Sequence, residues 1–157
     1  MRFLLATPRF AGLVLLLALA GAQAAGPGKP PRAAPGDLPA YATECGACHV
    51  AYAPRLLPAA SWARLMAGLG EHFGSDASLE PALRDEIARW LAATGSARRE
   101  APPEDRITRA RWFRHEHDEI RADVWTRPAV GGPGQCNACH RNADQGAFRE
   151  RDIRIPR

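Results

Sequence analysis

The chain has 157 residues, with 21 Lys+Arg against 17 Asp+Glu, a length that allows one domain or two small ones and excludes a large multidomain enzyme. Setting aside residues 1–24 as an export leader removes Arg2 and Arg9 and leaves 19 positive and 17 negative charges, a net of +2 that gives nucleic-acid binding no electrostatic support. Across the 133 residues from Ala25 to Arg157, Leu, Ile, Val and Phe number only 19; such a chain cannot offset its ordering entropy unless disulfides, a metal or a large cofactor supplies core.

The leader is read from three features in order: Arg2 and Arg9 as a basic start, an apolar run over residues 10–20, and Ala22-Gln23-Ala24 as a small-x-small cleavage site. A bilayer core of about 30 Å needs roughly 20 apolar residues, so the run is too short to span it. The expectation is a cleaved signal and a periplasmic protein. Residues 25–40, dominated by Gly, Pro and Ala, are expected to be a flexible segment.

Every cysteine belongs to one of two units, Cys45-Gly46-Ala47-Cys48-His49 and Cys136-Asn137-Ala138-Cys139-His140. C-x-x-C-H is the attachment pattern of c-type haem. Two thiols three positions apart near a helix start can each add to one vinyl group, and the next residue turns its imidazole to the iron. Pairing the thiols as disulfides gives no reason for His after both pairs. A structural zinc site would need a closer spacing of the two pairs and would leave His49 and His140 surplus, so zinc is not expected. A thioredoxin-like pair needs a βαβ context that is not readable. Two covalently attached haem c groups, held at Cys45, Cys48, Cys136 and Cys139, also answer the core deficit, since each porphyrin is a broad apolar disc. Their propionates move the balance from +2 towards about −2, which gives the arginines internal partners.

Function turns on the sixth position of each iron: filled suits electron transfer, open permits small-ligand chemistry. After Ser61, Trp62, Leu65, Met66 and Leu69 recur with helical spacing, and His72 continues that stripe. His72 is the favoured ligand and Met66 the runner-up. A second helix is expected after Ser78 as N-cap, with Pro81 in its first turn, Leu83, Ile87, Trp90 and Leu91 on one face, and Gly95 as its stop. Residues 96–110, polar and broken by Pro102-Pro103, read as a linker. In Arg111-Trp112-Phe113-Arg114-His115-Glu116-His117, a helix aligns Phe113, His117 and Ile120 and favours His117; an extended chain would leave His115 and His117 equivalent. Gly131-Gly132-Pro133-Gly134 gives a flexible entry to the second motif, and the polar tail is expected to wrap haem edge with little regular structure.

Taken together, these stretches resemble the bacterial dihaem cytochrome c family, the small periplasmic dihaem type. The resemblance is carried by Glu44-Cys45-Gly46-Ala47-Cys48-His49-Val50-Ala51-Tyr52, Leu56-Leu57-Pro58-Ala59, Leu65-Met66-Ala67-Gly68-Leu69 with His72-Phe73-Gly74, Trp112-Phe113 with His117, and residues 136–157. It implies a mostly α fold, with an N-terminal class I cytochrome c-like haem domain over 41–95 and a smaller, irregular C-terminal haem domain over 111–157. It also implies bis-histidine coordination, with His49 and His140 proximal and His72 and His117 distal. The implied partners are other redox proteins, a small monohaem cytochrome and a membrane b-type cytochrome. His115 departs from the family pattern. The expected function is an exported dihaem electron carrier; the alternative is a small haem enzyme, a peroxidase or reductase with one displaceable ligand and His115 as its spare imidazole.

Overall fold

The computed structural model describes residues 33–157, so the expected leader and residues 25–32 lie outside the described residues. Pro31–Arg157 forms one compact unit. Its elements are five α-helices, α1 (Pro39–Cys45), α2 (Ala59–Ala67), α3 (Pro81–Thr94), α4 (Arg111–Glu116) and α5 (Ala122–Trp125), joined by short 3-10 turns. Among the described residues there is no strand, only isolated bridges such as Pro58 to Ser96 and His140 to Ile153. The fold is therefore mostly helical, as expected. No helix among the described residues is long and apolar enough to cross a membrane.

α3 forms for the reasons its sequence advertises. Pro81 occupies the first turn, where its missing N–H costs nothing, Ile87 and Leu91 are buried on one face, and the chain leaves the helix at Gly95. The N-cap is Glu80; Ser78 instead closes a local turn with its N–H on Asp76 Oδ1 at 2.9 Å. α2 starts earlier than expected, with Pro58 as N-cap and Ser61 buried inside the helix. The two helices pack closely because Gly95 has no side chain: a Cβ there would lie 2.9 Å from Ala59 N. Ser96 N–H then donates to Leu57 O at 2.8 Å, stitching the end of α3 to the start of α2.

The core is aromatic where an ordinary domain would use Leu and Ile. Tyr41, 1% exposed, meets Trp62 edge-on at 6.3 Å and Trp90 at 5.0 Å, while Trp62 Nε1–H donates to Pro54 O at 2.7 Å. Leu57, Met66, Ile87 and Leu91 complete it. The same core takes in Ile107, Ala110 and Phe113. Residues 96–110 run back along it, with Arg99 Nε donating to Arg55 O at 3.0 Å and its guanidinium 4.2 Å from the Trp112 ring centroid. Arg64 grips Asp105 through Nε at 2.8 Å and Nη2 at 2.6 Å.

Candidate functional site

The first motif begins at the end of a helix. Cys45 is the last residue of α1, and Cys48 and His49 follow in the turn beyond it. This corrects the expectation of thiols near a helix start. The second motif sits on a 3-10 turn, Cys136–Ala138, with His140 N–H donating to Cys136 O at 2.8 Å. None of the four cysteines is in a disulfide. Burial pushes the Cys45 and Cys136 thiols up to about 11 and also raises Cys139. A thiol so held is a poor thiolate; as a thioether it has no charge to desolvate.

His49 is fixed by its own backbone. Its Nδ1 lies 2.8 Å from Val50 O, and since a carbonyl only accepts, Nδ1 carries the proton and Nε2 keeps the free lone pair. His117 is set in the same way, its Nδ1–H donating to Phe113 O at 2.8 Å across the last turn of α4. His117 is the C-cap of that helix, which ends at Glu116, so the helical reading places Phe113 one turn before His117 but does not extend to Ile120. His115 points elsewhere: its side chain is 82% exposed, 4.0 Å from Asp118. Burial holds His72 and His140 below the ordinary imidazole range, with His49 and Arg106 adding to the effect at His72 and His117 at His140. Each is thus neutral at neutral pH, the form that can bind a metal.

His72 is not on α2. That helix stops at Gly68, a 3-10 turn covers Leu69–Glu71, and His72 follows with φ −68° and ψ 85°. The next residue, Phe73, takes the left-handed value φ 54° and lies under the Arg106 guanidinium at 4.1 Å. Met66, the alternative ligand, is buried in the core.

The structure brings the four histidines together as two pairs. His49 and His72 have ring centroids 6.4 Å apart with planes at 25°; His117 and His140 are 6.1 Å apart with planes at 82°. Two imidazoles on opposite faces of one metal ion, bonded at about 2.0 Å, place their centroids about 6.3 Å apart. Both pairs fit a shared iron. His140 Nδ1 is also the single buried side-chain nitrogen or oxygen among the described residues without a hydrogen-bond partner, an atom whose burial is costly unless a further group belongs there. One histidine of each pair lines a cleft, His72 with Leu65 and Phe73, and His117 with Phe113 and Trp125.

Aromatic rings surround the pairs, and sequence reasoning gave most of them no role. Tyr52 stacks on His49 at 4.6 Å and 20°, Phe113 on His117 at 4.1 Å and 22°, and Phe148 meets His140 edge-on at 5.3 Å. Trp125 adds a tilted contact to His117 at 5.8 Å. Phe113, four positions before His117, already stood on the helical face that favoured that histidine; Tyr52, three positions after His49, was given no such role, and Phe148 carries no spacing signal.

A family model for dihaem cytochrome c matches residues 41–148. Among solved structures, a dihaem cytochrome of type c from Shewanella baltica is 37% identical, with 74% of this chain and 91% of that one covered and a TM-score of 0.67. A dihaem cytochrome c from Rhodobacter sphaeroides is 38% identical, with 71% and 96% covered and a TM-score of 0.62. A crystal structure of the protein purified from that organism matches with the same identity and coverage at 0.59. No curated protein matches.

Proposed function

We infer the function from one premise: the chain belongs to the dihaem cytochrome c family and so carries two covalently bound haem c groups with iron. From it we propose an exported, periplasmic electron carrier in which both irons are held between two histidines. The residues that would hold the first haem are Cys45 and Cys48 by thioethers and His49 and His72 through their imidazoles. Cys136, Cys139, His140 and His117 would hold the second. The observation that carries the reading is the matched spacing of the imidazole pairs, 6.4 and 6.1 Å.

Each haem iron supplies one-electron cycling between ferric and ferrous states. The protein's part is to keep everything else still. The Nδ1–H bonds of His49 to Val50 O and of His117 to Phe113 O fix ring rotation and tautomer. Burial keeps His72 and His140 neutral, so neither ligand has to lose a proton before it binds. The stacked rings of Tyr52 and Phe113 exclude water from one side of each imidazole. No bond to substrate forms or breaks, so no acid or base is required, and the one spare imidazole, His115, is spent on the surface beside Asp118. Two imidazoles give a lower potential than His with Met, and Met66 stays in the core. The partners that suit such a carrier are other redox proteins, a small monohaem cytochrome and a membrane b-type cytochrome.

Carbon monoxide tests the ligation. Added to the reduced wild type it leaves both Soret bands in place; His72→Ala and His117→Ala each convert one haem to high spin and let it bind the gas. Rapid binding by the wild type, or a high-spin haem in His115→Ala with none in His117→Ala, overturns the reading.

A further inference from the structure

Tyr52 is connected to both haem-attachment segments. Its ring lies flat on His49, the histidine of the first motif, at 4.6 Å and 20°. Its hydroxyl donates to Gly134 O at 2.7 Å, a carbonyl 82 residues along the chain and two residues before Cys136 of the second motif. Its own carbonyl accepts from Tyr41 Oη at 2.7 Å, and Tyr41 is locked between Trp62 and Trp90 in the core. A position that needed only apolar filling would be served by Phe; the phenol adds one directed bond.

The other end of that bond is shaped to receive it. A Cβ at Gly134 would sit 3.3 Å from Tyr52 Oη, so a side chain there would crowd the hydroxyl and make it give by a few tenths of an ångström. Arg55, three residues after Tyr52, repeats the link on the far side of the second motif: its Nη2 donates to Gly146 O at 2.7 Å, and its guanidinium lies 6.0 Å from the centroid of Phe148, the ring edge-on to His140. Residues 49–55 therefore grip the second attachment segment both before Cys136 and after His140.

We propose that Tyr52 is a positioning residue that locks the two haem-attachment segments to each other, fixing the relative orientation of the haems and so the influence of each on the potential of the other. The proposal rests on the reading of His49 as an axial ligand. An electron passing between the sites oxidises one iron from ferrous to ferric and reduces the other from ferric to ferrous, with no proton moved; Tyr52 is neither oxidised nor deprotonated in that step. Burial raises its phenol well above the ordinary value, in keeping with a neutral donor.

The test uses holoprotein of the wild type, Tyr52→Phe, Gly134→Ala and the double variant. Haem content is read by mass, ligation by absorption, inter-haem orientation by the exciton couplet in Soret circular dichroism, and mutual influence by the separation of the two midpoint potentials. Tyr52→Phe is expected to keep both haems and low-spin absorption while it loses couplet intensity and shifts that separation. Gly134→Ala should shift both in the same direction to a smaller extent by crowding the hydroxyl, and should add nothing in the Tyr52→Phe background, where there is no hydroxyl to crowd. A couplet and separation in Tyr52→Phe that match the wild type, or single-variant effects that simply add in the double variant, overturn the proposal. Either of these results with low-spin spectra leaves the ligation reading standing; a high-spin wild type removes that reading itself.

Discussion

Phe113 gives the sharpest test of how the second site is built, because one residue acts on His117 in two separable ways. Its ring stacks on the imidazole at 4.1 Å and also meets Trp112 at 5.9 Å and Trp125 at 6.3 Å, while its backbone carbonyl accepts the His117 Nδ1 proton. The side chain is 6% exposed. Truncation to Ala removes a buried aromatic ring and leaves a cavity, a change that costs about 3–5 kcal/mol. Against a total stability of about 5–15 kcal/mol, that is a large fraction. Phe113→Leu keeps most of the apolar volume and forfeits chiefly the ring pairing, about 0.5–1.5 kcal/mol per pair beyond its area.

The expected order of stability is Phe, then Leu, then Ala, with the Leu variant much closer to the wild type. The carbonyl survives both changes, so the His117 tautomer survives too, and Phe113→Leu is expected to stay low spin. Denaturant unfolding of the holoprotein, followed by far-UV circular dichroism and the Soret band together, measures both effects in one titration. An Ala variant destabilised by less than about 1 kcal/mol, or a Leu variant as damaged as the Ala one, would refute the assignment of the ring as the packing element under His117.

Three further outcomes are expected. In the oxidised protein, near-parallel ring planes at His49 and His72, 25°, and near-perpendicular planes at His117 and His140, 82°, should split the iron d orbitals differently and give two distinct low-spin electron paramagnetic resonance signals; a single type would contradict the geometry. Gly95→Ala pushes a methyl to within 2.9 Å of the Ala59 backbone, so α2 and α3 must move apart at a cost of about 1–3 kcal/mol, read as a lowered melting temperature. Burial holds His72 and His140 below the ordinary value of 6.5 even without iron, and an iron bond would compete further with the proton, so the low-spin spectrum is expected to persist as the pH falls through 6.5. A change to high spin centred at about pH 6.5 would count against their ligation.

What could be read directly from the sequence was whatever covalent chemistry or local backbone rules dictate. Thioether attachment demands Cys-x-x-Cys-His, and so both motifs stood out; α3 was announced by Pro81, by Ile87 and Leu91, and by Gly95. His72 was singled out by extending a helical stripe that does not reach it: its ring does lie 6.4 Å from His49, but α2 ends at Gly68, and a left-handed Phe73 turns the chain instead. Helical spacing does not encode that turn, which is closed by Ser75 N–H on His72 O and Ala77 N–H on Leu69 O and covered from outside its own segment by Arg106 over Phe73. The same holds for the bond from Tyr52 to Gly134, which no local pattern encodes across 82 residues. Residues 96–110 are rich in charged residues and broken by Pro102-Pro103, and their anchors are single side chains, Asp105 on Arg64 and Ile107 in the core among them, too sparse to register in composition.

The scarcity of aliphatic residues acquires a structural meaning once the rings are placed. Most of the buried hydrophobic residues, Tyr41, Leu57, Trp62, Met66, Ile87 and Leu91 among them, cluster around α1 to α3, whereas beyond Phe113 the buried hydrophobic residues are only Val124, Val130 and Ala143. What the C-terminal part has instead is Phe113, Trp125 and Phe148 gathered on His117 and His140. Rings grouped on imidazoles, without a layer of Leu or Ile beneath them, bury little against one another. Set against the face of a bound porphyrin, the same rings gain an apolar partner of matching breadth. The amino acids around the second motif thus make half of a core, and the haem bound there makes the other half, which is how a chain with 19 Leu, Ile, Val and Phe in residues 25–157 can order a region so short of aliphatic side chains.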